Sequence, residues 1–194
     1  MTLPNLITIG RLLLVPLIIW FIVADEPLAA FVVLLVAGLS DAIDGFIARN
    51  FDLRSDLGTY LDPVADKALL VSVYVTLAVV SAIPVWLTIL IVSRDVLIVG
   101  AVVLSWMLSA PTTVRPLAIS KVNTVAQIVL AVAVLGSLGF RLSLGSLQPV
   151  LVYAVAVLTV ASAAMYLVDW VRHMGTTEAA SSPPSGDGAR KISP

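Results

Sequence analysis

Four aspartates set into an apolar sequence constrain this chain more than any other feature. Asp41, Asp44, Gly45 and Ala48 fall at i, i+3, i+4 and i+7, one face of a helix. Gly58, Asp62 and Asp66 fall at i, i+4 and i+8, again one face. Between them, Asn50-Phe51-Asp52-Leu53-Arg54-Ser55 reads as a short polar connection that folds two helices back antiparallel. Asp56 then serves as N-cap or first-turn residue of the second helix. Such a hairpin aims the carboxylates at one another across a narrow gap. Like charges that close stay ionised only with cations among them, and all-oxygen ligands suit hard divalent ions, Mg²⁺ or Mn²⁺ above all.

The small residues on these faces matter as much as the acids. Gly45, Ala48 and Gly58 leave room for a flat, bulky group against the backbone, and Arg49 adds a phosphate partner at the helix end. Together they suggest a pyrophosphate-linked nucleotide held by two metals. The competing reading is a transporter whose intramembrane acids bind a coupling ion. That reading has no use for the glycine and alanine spacing.

The setting of the acids is a bilayer. Of 194 residues, 60% are hydrophobic and 12% charged, the composition of an integral membrane protein. The formal net charge of -1 comes with no basic cluster for nucleic acid. Cysteine is absent, which excludes disulfides, thiolate metal sites and cysteine nucleophiles. The only histidine, His173, follows the last apolar run, so a histidine-phosphate intermediate is not expected. No Lys or Arg precedes the first apolar run, so the N-terminus does not read as a cleaved signal.

In chain order the sequence predicts an all-α protein with six transmembrane helices and a short N-terminal interfacial helix. Pro4 starts the interfacial turn, with Asn5, Thr8 and Arg11 on its polar flank. The spans are then Leu12 to Val23, about Leu28 to Arg49, Asp56 to about Val80, Val85 to about Leu108, Lys121 to about Leu138, and Gln148 to about Val171. A kink is expected at Pro63 in the third. Arg94 and Asp95 lie well inside the fourth, where charge must face protein or water. Neighbours on a helix diverge by about 100°, so separate partners are expected for the two, with Arg94 turned into the active cavity. Residues 1–174 form the membrane domain, and the Ser-, Pro- and Gly-rich 175–194 read as a disordered tail. Arg115, Lys121, Arg172, Arg190 and Lys191 share a side with the polar connection, against Asp25, Glu26 and Arg141 opposite. By the positive-inside rule both termini and the acidic site are cytoplasmic, in what reads as a bacterial inner membrane.

The stretch from Asp41 to Asp66 resembles the signature of the CDP-alcohol phosphatidyltransferase family, Asp-x-x-Asp-Gly-x-x-Ala-Arg, eight residues, Gly-x-x-x-Asp-x-x-x-Asp. Asp41, Asp44, Gly45, Ala48, Arg49, Gly58, Asp62 and Asp66 fill every fixed place. The resemblance implies metal binding by Asp41, Asp44, Asp62 and Asp66, and nucleotide binding by Asp41, Gly45, Ala48, Arg49 and Gly58. It further implies that Asp66 is the base for an acceptor hydroxyl and that the protein is a homodimer. The substrate implied is CDP-diacylglycerol, attacked in line with release of CMP. Arg94, Arg115 and Lys121 could grip an acceptor phosphate. Two acceptors fit, glycerol 3-phosphate and phosphatidylglycerol. The segments GLSDAIDGFIARN, LGTYLDPVADK, VSRDVLIVG and ISKVNTVAQ are similar to the branch that uses phosphatidylglycerol and makes cardiolipin. The branch using glycerol 3-phosphate tends to carry a second lysine where Asn123 stands. A monoanionic phosphodiester needs fewer cations than a near-dianionic monoester.

Overall fold

The computed structural model describes residues 3–51, 56–107 and 118–181, and within them the side chains of 10–40, 65, 67–100 and 119–168. These residues form six helices and no strand: α1 (Leu3–Val23), α2 (Pro27–Phe51), α3 (Asp56–Val79), α4 (Val85–Met107), α5 (Ala118–Gly139) and α6 (Leu147–Ser181). Two expectations change. The N-terminal residues do not form a separate interfacial helix. α1 runs without a break from Leu3, through Pro16, to Val23, because the polar flank of Asn5, Thr8 and Arg11 keeps the helical period of the apolar run behind it. α6 runs on to Ser181, past the expected tail boundary at Gly175, through a Glu-Ala-Ala sequence of good helix formers. α3 continues through Pro63.

Three tight hairpins build the bundle, and each closes in the same way. At the end of α1 the Glu26 amide donates to the Phe21 carbonyl at 2.8 Å, and the Asp25 amide to that of Ile22. The ends of α3 (Ala82 to Leu77, Ser81 to Ala78) and α5 (Leu142 to Ser137, Arg141 to Leu138) repeat this pair of bonds. It is the Schellman closure, which satisfies the last carbonyls by turning one residue left-handed. Asp25, Ser81 and Arg141 take that position at φ 59°, 60° and 53°. Pro27 then opens α2, where its missing amide costs nothing.

The helices close a ring in the order α1, α2, α5, α6, α4, α3, with α3 also touching α5. Ile18, Leu34, Val73, Leu77, Leu87, Leu130 and Val155 are among the apolar side chains that fill its middle. The outside is as apolar as the inside: Trp20, Leu39, Val79, Val96, Leu97 and Val157 all stand more than 60% exposed. Meanwhile Arg94, Asn123, Gln127, Thr159 and Ser162 are buried. An oily exterior around a polar interior is the organisation of a membrane protein. By length and composition Ile119–Gly139 and Leu147–Val168 suffice to cross a bilayer. The other apolar helical stretches of the described residues are shorter: Gly10–Val23, Pro27–Ser40 and Lys67–Val79.

The first hairpin meets the third where glycine permits it. A Cβ on Gly139 would lie 2.8 Å from the Leu28 Cα and 3.0 Å from its amide nitrogen. Backbone cannot yield as a side-chain tip can, so Gly139→Ala is expected to cost about 1–3 kcal/mol. The measurement is thermal unfolding in detergent, with Gly38→Ala as control, because nothing lies within 4 Å of a Cβ there.

Candidate active site

Helix geometry distributes the acidic motif over two elements. Asp41, Asp44, Gly45, Ala48 and Arg49 ride on the last part of α2, and Gly58, Asp62 and Asp66 on the first part of α3. The connection is shorter than expected, since α2 continues to Phe51 and α3 starts at Asp56. The side chains of all eight, and so the separations of the four carboxylates, lie outside the described residues.

The wall beside them is described. Lys67, the residue after Asp66, forms an ion pair with Asp95 Oδ1 of α4. That oxygen also accepts from Arg94 Nη1 at 2.7 Å, so the two neighbours do bridge one another, against expectation. Their Cα–Cβ bonds diverge, but three methylenes let the guanidinium swing back across the gap. The separate partners exist as well. Arg94 Nη2 donates to Ser120 Oγ of α5 at 2.5 Å and to Ser162 Oγ of α6 at 2.7 Å. Its guanidinium carbon stands 5.7 Å from the centre of the Tyr166 ring, a cation–π contact. Arg94 is thus 4% exposed, and it ties α4 to α5 and α6. Its Nε has no hydrogen-bond partner among the described residues.

Among the described residues, Lys67 and Arg94 share the one carboxylate of Asp95. Lys121 does not join the cluster: it is exposed on α5, and its neighbour Ser120 makes the contact instead. Arg115 lies outside the described residues. Asn123, fully buried, accepts from Thr159 Oγ1 at 3.0 Å through Oδ1, while its Nδ2 and the Nε2 of Gln127 have no partner among the described residues. Tyr74 of α3 donates to the Gln127 carbonyl at 2.8 Å, bringing α3 and α5 together at the same level.

Lys67, Ser120, Thr159, Ser162 and Tyr166 escaped the reading of the sequence. A signal was there. Thr159, Ser162 and Tyr166 recur at i, i+3 and i+7 in an apolar helix, one polar stripe on α6.

A sequence profile of the CDP-alcohol phosphatidyltransferase family matches residues 1–168. A cardiolipin synthase (CMP-forming)/mitochondrial hydrolase fusion protein of Schizosaccharomyces pombe is 40% identical over 86% of this chain and 31% of its own length. The Homo sapiens cardiolipin synthase (CMP-forming) is 37% identical over 85% of this chain and 60% of its own. A chloroplastic CDP-diacylglycerol–glycerol-3-phosphate 3-phosphatidyltransferase of Oryza sativa is 40% identical over 70% of this chain and 46% of its own. The chain therefore spans less than two thirds of the length of each of these relatives.

Proposed function

Because the chain belongs to the CDP-alcohol phosphatidyltransferase family, we propose that it transfers the phosphatidyl group of CDP-diacylglycerol to a hydroxyl of phosphatidylglycerol, giving cardiolipin and CMP. The observation that carries this reading is the similarity to CMP-forming cardiolipin synthases over 85–86% of the chain, with every fixed place of the signature filled.

The donor set suits the metals that the family implies. Asp41, Asp44, Asp62 and Asp66 offer only carboxylate oxygen, the ligand of Mg²⁺ and Mn²⁺. Two such ions, when bound, would neutralise the pyrophosphate and make CMP a better leaving group. The rest falls to the chain's own residues. Gly45, Ala48 and Gly58 leave space for the nucleotide, and Arg49 pairs with its phosphate. Asp66 takes the proton of the acceptor hydroxyl as its oxygen bonds to the lipid-linked phosphorus. The phosphorus–oxygen bond to CMP breaks in the same displacement. Arg94, with Arg115 and Lys121, holds the acceptor phosphate.

In this reading all six helices cross the membrane, the polar clusters of α2 and α3 facing the bundle interior, and the protein works as a homodimer. The site and both termini face the cytoplasm by the distribution of Lys and Arg, in a bacterial inner membrane. Glycerol 3-phosphate is the second acceptor to weigh, because the rice relative is named for it and is also 40% identical. The test gives purified protein in detergent CDP-diacylglycerol with either acceptor and resolves the lipids formed. Cardiolipin with phosphatidylglycerol is expected. Turnover with glycerol 3-phosphate alone would transfer the protein to the other branch, and ion-coupled uptake without CMP release would make it a transporter.

A further inference from the structure

Between α4 and α6 lies an open cleft of about 680 Å³, walled by Leu90, Leu97, Val160, Ala163, Ala164 and Leu167. Its volume is within the about 300–1,000 Å³ usual for ligand sites. The lining is hydrocarbon apart from Ser93, Arg94, Thr159 and Tyr166. α4 belongs to the second hairpin and α6 to the third, so the cleft is a seam between hairpins.

Three observations identify what belongs there. Behind the cleft, Arg94 shares the one carboxylate of Asp95 with Lys67. Arg94 Nε, a donor on a side chain only 4% exposed, is without a partner among the described residues. The ligand must therefore bring an anionic oxygen together with hydrocarbon. The level is set by Lys67, which follows the last signature aspartate directly and pairs across to α4. An oxygen at Arg94 is then at the depth of the signature, approached from the side opposite α2.

We propose that this cleft seats one acyl chain of the acceptor phospholipid, with its phosphodiester oxygen accepting from Arg94 Nε. The inference rests on phosphatidylglycerol being the acceptor and deepens that reading. The donor's pyrophosphate belongs with α2 and α3, whereas the cleft is built by α4 and α6. The cleft thus receives the second lipid, and the two meet at Asp66 from opposite sides.

The experiment is photocrosslinking of the wild-type protein in detergent with phosphatidylglycerol carrying a mid-chain diazirine. Labelled peptides are expected from 90–100 and 159–167, suppressed by unlabelled phosphatidylglycerol and not by phosphatidylcholine. Alongside it, Ala164→Phe narrows the cleft from an exposed position that the fold does not depend on. Its KM for long-chain phosphatidylglycerol should rise about tenfold, with the KM for CDP-diacylglycerol within about twofold. Dihexanoyl phosphatidylglycerol, too short to fill the cleft, should be used nearly as well as by the wild type.

Equal labelling by phosphatidylcholine would mean bulk lipid, and labelling only by a diazirine CDP-diacylglycerol would give the cleft to the donor. Crosslinks between two copies of the chain through these helices would give it to a dimer contact. Each of these overturns the inference while leaving cardiolipin formation intact. A wild type that makes no cardiolipin from phosphatidylglycerol overturns the acceptor reading, and this inference with it.

Discussion

Asp62→Asn protein is expected to insert and fold as the wild type does, yet to release CMP from CDP-diacylglycerol about 10²–10³-fold more slowly. That is the scale on which one preorganised group is lost from a site that stabilises developing charge. Asparagine keeps the shape of the side chain and one carbonyl oxygen but removes the negative charge that a hard cation requires. The assay is CMP release in detergent at rising Mg²⁺ or Mn²⁺, with circular dichroism to establish that the helices remain. Excess chelator should silence the wild type, and added Mg²⁺ or Mn²⁺ should restore it. Full activity in the variant, or in chelator, would remove metal from the mechanism and leave the family assignment standing.

The second large effect concerns Arg94. Its guanidinium reaches Asp95 through one terminal nitrogen and both Ser120 and Ser162 through the other. An ammonium is a single point and cannot hold all three at once. Arg94→Lys should therefore rescue poorly, although it keeps the charge. A charge-assisted hydrogen bond contributes about 1.5–3 kcal/mol, so Arg94→Ala should lower kcat/KM for the acceptor by about 10–150-fold. The KM for CDP-diacylglycerol should move far less, because Arg94 stands on α4 and the signature on α2 and α3. Steady-state kinetics with each substrate varied in turn reads the difference. An equal rise in both KM values would make Arg94 a strut of the bundle rather than a contact of the acceptor.

How much of this was legible in the sequence depends on the kind of interaction. The six helices were, because runs of about 20 apolar residues between Pro, Gly and charge have few other outcomes in lipid. Their ends at Val23, Val79 and Gly139 fall within a residue or so of expectation, where Asp25, Ser81 and Arg141 take the left-handed turn. The signature was legible too, being local and periodic. What sequence periodicity does not carry is the reach of a long side chain. It gives the direction in which Arg94 leaves the helix, not the return of its guanidinium to Asp95 or its span to Ser120 and Ser162. Partnerships across the bundle, such as Lys67 with Asp95 or Asn123 with Thr159, depend on the ring order of the helices. That order is a property of packing and is written in no single segment. Nor does composition mark a helix end: a run of small and polar residues suggested a tail from Gly175, yet α6 continues to Ser181.

The hairpin construction bears on how the protein comes into being. The link between α2 and α3 joins the first hairpin to the second, so the signature is divided between two hairpins. A nascent chain that has delivered only its first pair of helices holds Asp41 and Asp44 but not Asp62 and Asp66. The third pair then supplies Ser120, Ser162 and Tyr166, without which Arg94 has only Asp95 to meet. Half-made protein in the bilayer therefore has neither a complete acidic cluster nor a seated arginine. In the proposed function, competence for chemistry arrives with the last hairpin.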